Sequence, residues 1–404
     1  MDIDQFVHLH VASGYSLRVG AATPADLVAR AAELGQTSLA LTDRDGTYGA
    51  VKFVRACQRA GIRPILGADL TLADHSDRVG TTVAARAPVR GGAVVDPRHP
   101  RIVVLARGAT GWASLCRLIS AAHLGAAGGG RGNPLVTPEL VAEHGAGLVV
   151  LLGAESPIGR ALARRRPDIA GTELQRWAQL LDPAALRIEV VSHHARDAAL
   201  AVSDVGGAPS RGLPLSDSAA TRLVDFAAEA GITAVLANAV RHVDRTGGPV
   251  VDALDAIRRL VPLDSRHLDR SNAEGFLKSG ADMAKVAVRI TRSPEAAARL
   301  LNSTVELAAA CLLEPSDLGL DDVHVPELDV LLDPSVINRT PVLNRDRVAE
   351  ARRGDVLLRQ RCADGLARRG LSPHAPEVSD RLEAELAVIA ELGFAAYFLT
   401  VAEV

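Results

Sequence analysis

Residues 38–72 read SLALTDRDGTYGAVKFVRACQRAGIRPILGADLTL, and this stretch decides the fold. Ser38–Thr42 is a short apolar run of the kind that forms a buried strand. A helical run over Tyr48–Ala60 follows it and ends at Gly61, a residue type that commonly terminates helices. Arg63–Leu72 is then a second strand. Because a helix separates the two strands, the stretch predicts a parallel βα unit.

The same alternation extends over the first 260 or so residues. Five further strand-like runs, mostly separated by helical patterns, are Phe6–His10, Arg101–Ala106, Gly147–Leu152, Leu186–Val191 and Thr233–Ala237. Seven such units favour a closed or distorted α/β barrel over a short open sheet. Two Gly- and Pro-rich stretches, Asp74–Pro100 and Leu124–Pro138, are predicted to be loops or excursions from this barrel.

Beyond the barrel the periodicity is helical only. Helices are predicted over Ser293–Leu312, Val348–Arg369 and Ser379–Gly393, with a linker over Leu320–Asn344. The last run, Phe394–Val404, is apolar and has no polar tail, so we expect the sequence to stop inside a folded unit. The predicted fold class is therefore α/β, with a distorted (β/α)7-type barrel followed by a mostly helical C-terminal segment.

The composition excludes several classes of protein. The chain has 404 residues, 48% hydrophobic and 23% charged, with a net charge of −3, which excludes wholesale disorder. No apolar run approaches the roughly 18 residues of a membrane span, and the acidic start is not a secretory signal, so a cytoplasmic location without membrane partners is expected. The four cysteines form no CxxC pair, which argues against a zinc ribbon. A nucleic-acid partner would need a local basic face, because the overall charge provides none.

Polar residues cluster at the predicted strand ends. His8 and His10 are two apart on one predicted strand, so both side chains should share a face, as a metal site requires. The alternative is two unrelated histidines. Asp43 follows the predicted strand Ser38–Thr42 and Asp69 lies in Arg63–Leu72, while Asn238, Arg241 and His242 follow the last predicted strand. Sites in parallel barrels form at the carboxyl ends of the strands, so these residues are expected at one mouth of the barrel.

These motifs resemble a known family. His8-Leu9-His10, Leu41-Thr42-Asp43 and Gly67-Ala68-Asp69 resemble, in this order, the PHP (polymerase and histidinol phosphatase) domain. Residues 48–67 are similar to the PHP domain that opens bacterial DNA polymerase III alpha subunits, the C-family replicases. Later blocks that resemble the same family in the same order are Val104–Arg107, Leu115–Leu118, Phe276–Ser279, Asn302–Thr304, Arg381–Leu386 and Tyr397–Leu399.

The resemblance implies a PHP site in which His, Asp and Glu side chains hold a cluster of metal ions. Three of its positions are retained as possible metal ligands, His8, His10 and Asp69, the last of these being a glutamate in the family. The lost ligand positions are Val19, Arg44, Arg101, Ala154, Ala239 and Arg241. Alkyl groups and guanidinium groups do not bind divalent cations, so only a remnant metal site is expected, with no catalytic or cofactor-binding residue.

Three of these losses are to arginine, which suggests compensation. Once cations leave a cavity lined by carboxylates, a guanidinium can restore neutrality and bond the remaining acids. At least one of Arg44, Arg101 and Arg241 is therefore expected within about 4 Å of Asp43 or Asp69. The alternative, which does not exclude the first, is drift in a GC-rich genome. Zn²⁺ or Mn²⁺ would be bound only if the remnant still holds metal.

The resemblance also implies a domain plan and partners. It predicts a PHP-like barrel over residues 1–262, a helical connection over 263–319, a linker over 320–347 and the truncated start of a polymerase palm over 348–404. The palm aspartates that would hold Mg²⁺ in a full-length polymerase lie beyond Val404, so no DNA synthesis is expected from this chain alone. In a full-length context, primer-template DNA, replisome proteins and a proofreading subunit are the implied partners.

Three functions remain open from the sequence, and they leave open whether the chain is an enzyme. The first is a non-catalytic PHP scaffold within a DNA polymerase for replication or translesion synthesis, with the eroded site resembling the error-prone branch of the family. The second is a metal-dependent phosphoesterase or 3′–5′ exonuclease in the barrel. The third is a stand-alone phosphatase of the histidinol-phosphate type, which the palm-like C-terminus disfavours.

Overall fold

The computed structural model describes residues 6–73, 99–125, 134–195, 215–259, 262–263, 272–320, 328, 347–372 and 375–403. The chain divides into two compact units, Met1–Leu320 and Asp321–Val404. Most of the predicted excursion at 74–100, the glycine-rich part of the loop at 124–138 and most of the linker at 320–347 lie outside the described residues. The four-part domain division drawn from the resemblance stays a prediction.

The first unit is built on one mixed sheet in which the strands follow each other in chain order. The strands are β1 Ser38–Arg44, β2 Arg63–Thr71, β3 Arg101–Ala106, β4 Leu148–Leu152, β5 Leu186–Val191 and β6 Ala234–Ala237. β1 and β2 pair in parallel, as do β4 with β5 and β5 with β6. The predicted α/β class is confirmed.

The expectation of parallel strands throughout is wrong at β3, which runs antiparallel to both β2 and β4. The last residue of β2, Thr71, pairs with the first residue of β3, Arg101. Adjacent strand ends of this kind can be joined without a crossover helix, which parallel pairing would require. The amino end of β3 therefore lies at the same edge of the sheet as the carboxyl end of β2.

The predicted first strand is an irregular extended segment that closes the sheet. His8 O accepts a hydrogen bond from Ala40 N of β1 at 3.0 Å, and His10 O accepts one from Val240 N, beyond β6, at 2.9 Å. The segment therefore lies between the two edges of the sheet and curls it into a distorted barrel. In a regular strand, the carbonyls of residues two apart point the same way. Here they point to opposite neighbours, so a regular strand over Phe6–His10 is interrupted between the two histidines.

Helices surround the sheet of the first unit. They are α1 Pro24–Glu33, α2 Ala50–Ala60, α3 Gly108–Leu124, α4 Pro138–Glu143, α5 Pro157–Ala163, α6 Pro167–Leu180, α7 Asp217–Ala230, α8 Gly248–Arg259, α9 Gly280–Thr291 and α10 Pro294–Ala310. α1 begins with a capping box, in which the Thr23 hydroxyl accepts from Asp26 N. Gly61 ends α2 as predicted, with the left-handed φ of 68° that glycine adopts without strain.

The inner face of the sheet is apolar in one half and polar in the other. Ile65, Leu105 and Val149 form a buried cluster there with Leu307 and other residues of α10. Because α10 fills this end of the barrel, the polar residues are left at the carboxyl end of β2, and the candidate site lies there.

In its described part the second unit contains the helices Arg347–Arg368, Pro376–Leu392 and Ala395–Glu403, and the helices predicted over 348–369 and 379–393 agree with the first two. A small core formed by Leu328, Leu358, Leu386, Ala395, Ala396 and Leu399 joins them. Within the described parts of the chain, no single helix has the length and apolarity to cross a membrane; the last two helices, bent by 112°, meet that test only as a pair.

Candidate functional site

Asp69 lies at the centre of the polar end of the barrel, between two guanidinium groups. Arg44 Nε donates to Asp69 Oδ2 at 3.1 Å, and Arg101 Nε donates to Asp69 Oδ1 at 2.9 Å. The β1–β2 register pairs Arg44 with Asp69, and antiparallel β3 begins with Arg101 at the same edge. Two of the three arginines at lost ligand positions therefore form the expected ion pairs with Asp69.

Arg101 is held by more than its carboxylate partner. Its Nη2 donates to the backbone oxygen of Asp69 at 2.6 Å, and its Nη1 donates to Thr71 Oγ1 at 2.5 Å. Asp45 Oδ2 lies 3.3 Å from Nη2. Asp45 is itself fixed, because Thr71 N donates to its Oδ1 at 2.8 Å. All three nitrogens of the Arg101 guanidinium thus have an acceptor, which holds the side chain in this position.

The charges around Asp69 determine its ionisation. Burial alone would raise the pKa of Asp69, but the positive charges of Arg101, Arg44 and His10 outweigh burial and lower it below its usual value. The carboxylate therefore stays ionised at neutral pH. Each of its oxygens already accepts a hydrogen bond from a guanidinium group, so a metal ion would have to compete with two fixed positive charges for this carboxylate.

His10 forms a second ion pair in the same barrel. Its Nδ1 lies 2.7 Å from Glu189 Oε1 on β5. Burial lowers the pKa of His10, but the charge and hydrogen bond of Glu189 more than offset this and raise it. Gly153 makes room for the acid, since a Cβ at that position would stand 2.1 Å from Glu189 Oε2. A protonated His10 donating to Glu189 is the state that this arrangement favours.

His8 does not share a partner with His10. Its Nε2 hydrogen-bonds to the backbone oxygen of Lys278 at 2.9 Å, and its ring meets the edge of Phe6 with the ring centroids 5.0 Å apart. Burial lowers the pKa of His8 to about 4, so the ring is neutral. The sequence expectation that both histidine rings share a face is wrong, because the backbone is irregular between them.

Asp43 is also directed away from Asp69. Ser13 N and Ser16 Oγ donate to Asp43 Oδ1 at 2.8 Å and 2.7 Å, and the carboxylate is buried. Burial raises the pKa of Asp43, and these hydrogen bonds only partly oppose that effect. Asp43 and Arg44 are neighbours on β1, so their side chains point to opposite faces of the sheet. The expectation that Asp43 and Asp69 converge is therefore wrong.

The third arginine at a lost position, Arg241, has a different partner. It binds Asp255 of α8 through two bonds of 2.5 Å and 3.1 Å, and Arg258 Nη2 donates to the same carboxylate at 2.9 Å. Asp255 is fully buried. Burial would raise the pKa of Asp255, but the two arginines lower it. Arg241 Nε also donates to the backbone oxygen of Val19, which joins two lost ligand positions.

The remaining sequence candidates are structural in this arrangement. Asn238 is buried, and its Nδ2 donates to the backbone oxygens of Glu274 and Phe276 at 2.9 Å and 2.7 Å. Ala239 adopts a left-handed φ of 43°. His242 Nδ1 hydrogen-bonds to the backbone oxygen of Asp244. Ala154 is half-buried and contributes only a methyl group.

Sequence reasoning missed several acids of the site. Glu189 could have been found, because it is the only charged residue inside the apolar run from Ile188 to Val191. Asp45 and Glu155 follow strand ends and could have been included on that ground. The sequence gave no indication that Asp255 would pair with Arg241, because a single Asp on an amphipathic helix is common.

The residues present do not fit the metal cluster that the PHP resemblance implies. Within the described residue ranges, no group of three or more His, Cys, Asp or Glu side chains could hold a metal ion. Arg44 and Arg101 occupy the space beside Asp69, and their fixed positive charge opposes a divalent cation.

Comparison with known families agrees with this architecture. The sequence model of the PHP domain matches residues 8–193, which includes β1 to β5 and the residues around Asp69. The sequence model of the bacterial DNA polymerase III alpha NTPase domain matches residues 356–404. The first unit thus contains a PHP domain. The chain is similar to bacterial DNA polymerase III alpha subunits and error-prone DNA polymerases, and the resemblance inferred from its motifs is confirmed.

Relatives are similar over nearly the whole chain. The error-prone DNA polymerase of Mycobacterium bovis is 30% identical over 403 residues, covering 99% of this chain and 31% of that protein. The DNA polymerase III subunit alpha of Escherichia coli K12 is 28% identical over 408 residues, covering 100% of this chain and 30% of that protein. The chain therefore spans about a third of the length of these relatives.

Among solved structures, one similar protein is a candidate metal-dependent phosphoesterase from Bifidobacterium adolescentis. It is 16% identical, with a TM-score of 0.36, over 58% of this chain and 87% of that one.

Proposed function

We propose that the first unit contains a non-catalytic PHP domain, over residues 1–262, that serves as a scaffold in a DNA polymerase of the C family. The observation that carries the proposal is Asp69, whose two carboxylate oxygens each accept a guanidinium hydrogen bond. Arg44 and Arg101 stand where the resemblance implies histidine ligands. The positive charge that metal ions would supply is therefore built into the chain.

In this proposal the polymerase as a whole copies DNA in the cytoplasm, for replication or for translesion synthesis. Its partners are primer-template DNA, other replisome proteins and a proofreading subunit. Divalent metal ions act at the polymerase site, and this site is not formed by the residues described above. The support is the similarity to both an error-prone DNA polymerase and a DNA polymerase III subunit alpha.

A second candidate is a metal-dependent phosphoesterase or 3′–5′ exonuclease in the barrel. Imidazole and carboxylate groups are metal ligands, and the site contains His10, Glu189 and Asp69. The negative charges of both acids also raise the pKa of His10, which favours this candidate. Against it, Glu189 is already paired with His10, and Asp69 with two arginines.

Metal content separates these candidates. The purified 404-residue protein, supplemented with Zn²⁺ or Mn²⁺ and then dialysed, is expected to retain no stoichiometric metal by elemental analysis. It is also expected to hydrolyse neither a phosphomonoester nor the 3′ end of labelled single-stranded DNA above a mock preparation. Metal near one equivalent that is lost in a His10→Ala/Glu189→Ala variant would overturn the proposal and support the phosphoesterase.

A variant that is expected to gain zinc binding provides a second test of the proposal. Arg44→His/Arg101→His removes two guanidinium groups and adds two imidazoles beside Asp69, so it is expected to bind more Zn²⁺ than the parent. The matched control is Arg166→His/Arg176→His, which alters two arginines paired at the outer surface. Equal zinc uptake by both double variants would contradict the idea that the arginines replace cations.

A further inference from the structure

A basic groove lies on the outer side of the PHP domain, away from Asp69. It is a surface pocket of about 310 Å³ between the start of α1 and the exposed side of α2. Its lining residues are Tyr15, Thr23, Pro24, Ala25, Lys52, Arg55 and Arg59. Three of these seven are cationic, and no described lining residue is Asp or Glu. We call this surface the α2 groove.

The three cations form a row. Lys52, Arg55 and Arg59 are spaced at i, i+3 and i+7, so they lie on one side of α2. All three are exposed. At 1.5 Å of rise per residue, the row extends for about 10 Å along the helix. It therefore presents several positive charges in a line, which suits a ligand with regularly repeated negative charges.

The local charge is opposite to that of the whole chain. Residues 46–68 contain Lys52, Arg55, Arg59 and Arg63 and no acidic residue, whereas the chain has a net charge of −3. This segment is therefore the local basic face that a nucleic-acid partner would need.

Two tyrosines lie near the start of α2: Tyr15 lines the groove, and Tyr48 precedes the helix. Lys52 Nζ lies 5.3 Å from the centroid of the Tyr15 ring. Tyr48, one turn before Lys52, is 61% exposed. Two of the three tyrosines of the chain therefore lie near this end of α2. Exposed aromatic rings beside a basic groove are the combination on which single-stranded bases stack while cations hold the backbone.

We propose that the α2 groove binds single-stranded nucleic acid. The phosphates lie along Lys52, Arg55 and Arg59, and a base stacks at Tyr48. The proposal goes beyond the scaffold function and does not depend on the arginines at Asp69. Duplex DNA fits the cation row but leaves Tyr48 unused, because its bases are already stacked. Binding should therefore be stronger for the single strand.

Fluorescence anisotropy with a labelled oligothymidine of about 20 nucleotides, longer than a typical single-strand site, tests this with the full chain. Removing the row in Lys52→Ala/Arg55→Ala/Arg59→Ala is expected to weaken binding at least tenfold at low salt. Each phosphate contact to a single strand contributes about −0.7 to the slope of log affinity against log salt, so the slope should flatten by about two. Tyr48→Ala should weaken binding to the oligothymidine and leave binding to a duplex unchanged.

Two controls keep the proposal open to refutation. Lys285→Ala/Arg289→Ala/Arg299→Ala removes the same charge from exposed helix positions on α9 and α10 and should leave both affinity and slope unchanged. The charge-preserving variant Lys52→Arg/Arg55→Lys/Arg59→Lys should retain the slope. Equal losses in the two alanine variants, no detectable binding by the parent, or full competition by inorganic phosphate at equal charge concentration would overturn the proposal.

Discussion

Replacing Arg101 by methionine should be among the most destabilising single changes at the site. Methionine has a similar length but no charge and no donor, so Asp69 Oδ1, the Asp69 carbonyl and Thr71 Oγ1 would each lose a hydrogen bond of 2.5–2.9 Å. Breaking a buried ion pair on one side costs about 3–5 kcal/mol. Because Arg44 still binds Asp69 at 3.1 Å, we expect a loss of about 2–4 kcal/mol in the free energy of unfolding.

Tryptophan fluorescence during urea unfolding measures this loss. Both tryptophans of the chain, Trp112 and Trp177, lie in the first unit, so the signal reports on that unit. The matched control is Arg166→Met, which breaks an exposed pair with Asp168 and should leave the urea midpoint almost unchanged. A loss below about 0.5 kcal/mol for Arg101→Met, which is typical of surface substitutions, would refute the view that its guanidinium neutralises Asp69.

The pH dependence gives a second check. The pKa of Asp69 is lower in the folded protein than in the unfolded chain, where it is about 3.9. Its ionisation therefore stabilises the fold above that value, and the stabilisation is lost as the pH falls through the folded pKa. Without Arg101, burial should raise the folded pKa. The stability gap between the variant and the parent should thus be complete at high pH, begin to shrink as the pH falls through the raised folded pKa of the variant, and close as the pH falls through the lowered folded pKa of the parent.

Three further predictions concern neighbouring groups, each measured by the same urea unfolding. Gly153→Ala should destabilise the first unit, because the added Cβ would displace the Glu189 carboxylate from His10. The control Gly171→Ala should be neutral or stabilising, because Gly171 in α6 has open space around it. Arg241→Met should cost about 2–4 kcal/mol, since Asp255 is fully buried and would keep only Arg258; a neutral result would show that Arg258 suffices. His8→Phe should reduce the loss of stability between pH 6.5 and 4. The pKa of His8 is about 4 in the folded protein and 6.5 in the unfolded chain, so acid favours the unfolded state by an amount on the order of 3 kcal/mol. An unchanged pH profile would contradict burial of a neutral ring.

The elements that sequence predicted well are those set by local rules. Gly61 marks the end of α2 through a left-handed backbone conformation, and this effect depends on a few neighbouring residues. The apolar runs over β1 and β4 were equally clear. The direction of β3 was not predictable, because hydrophobic runs give no sign of which way a strand pairs.

The site was only partly predictable for the same reason. That Arg44 and Arg101 would meet Asp69 followed from motif positions and charge balance, and the structure has both contacts. The separation of His8 from His10 depends on an irregular backbone between two sheet edges, which alternation rules cannot foresee. Glu189 and Asp255 reach their partners through contacts between residues distant in the sequence, so composition gave little indication of the pairing.

The antiparallel direction of β3 is what allows arginine to take over the role of cations here. In an all-parallel sheet, the first residue of β3 would lie at the opposite edge from Asp69, and Arg101 could not reach it. With β3 reversed, guanidinium groups from the two strands beside β2 approach the two oxygens of one carboxylate. Arg44, Arg101 and His10 are then in ion pairs with Asp69, Asp45, Glu155 and Glu189. The two guanidinium groups and the imidazole thus offset most of the carboxylate charge without an added ion, and a divalent cation entering the cluster would have to compete with guanidinium groups that are already hydrogen-bonded.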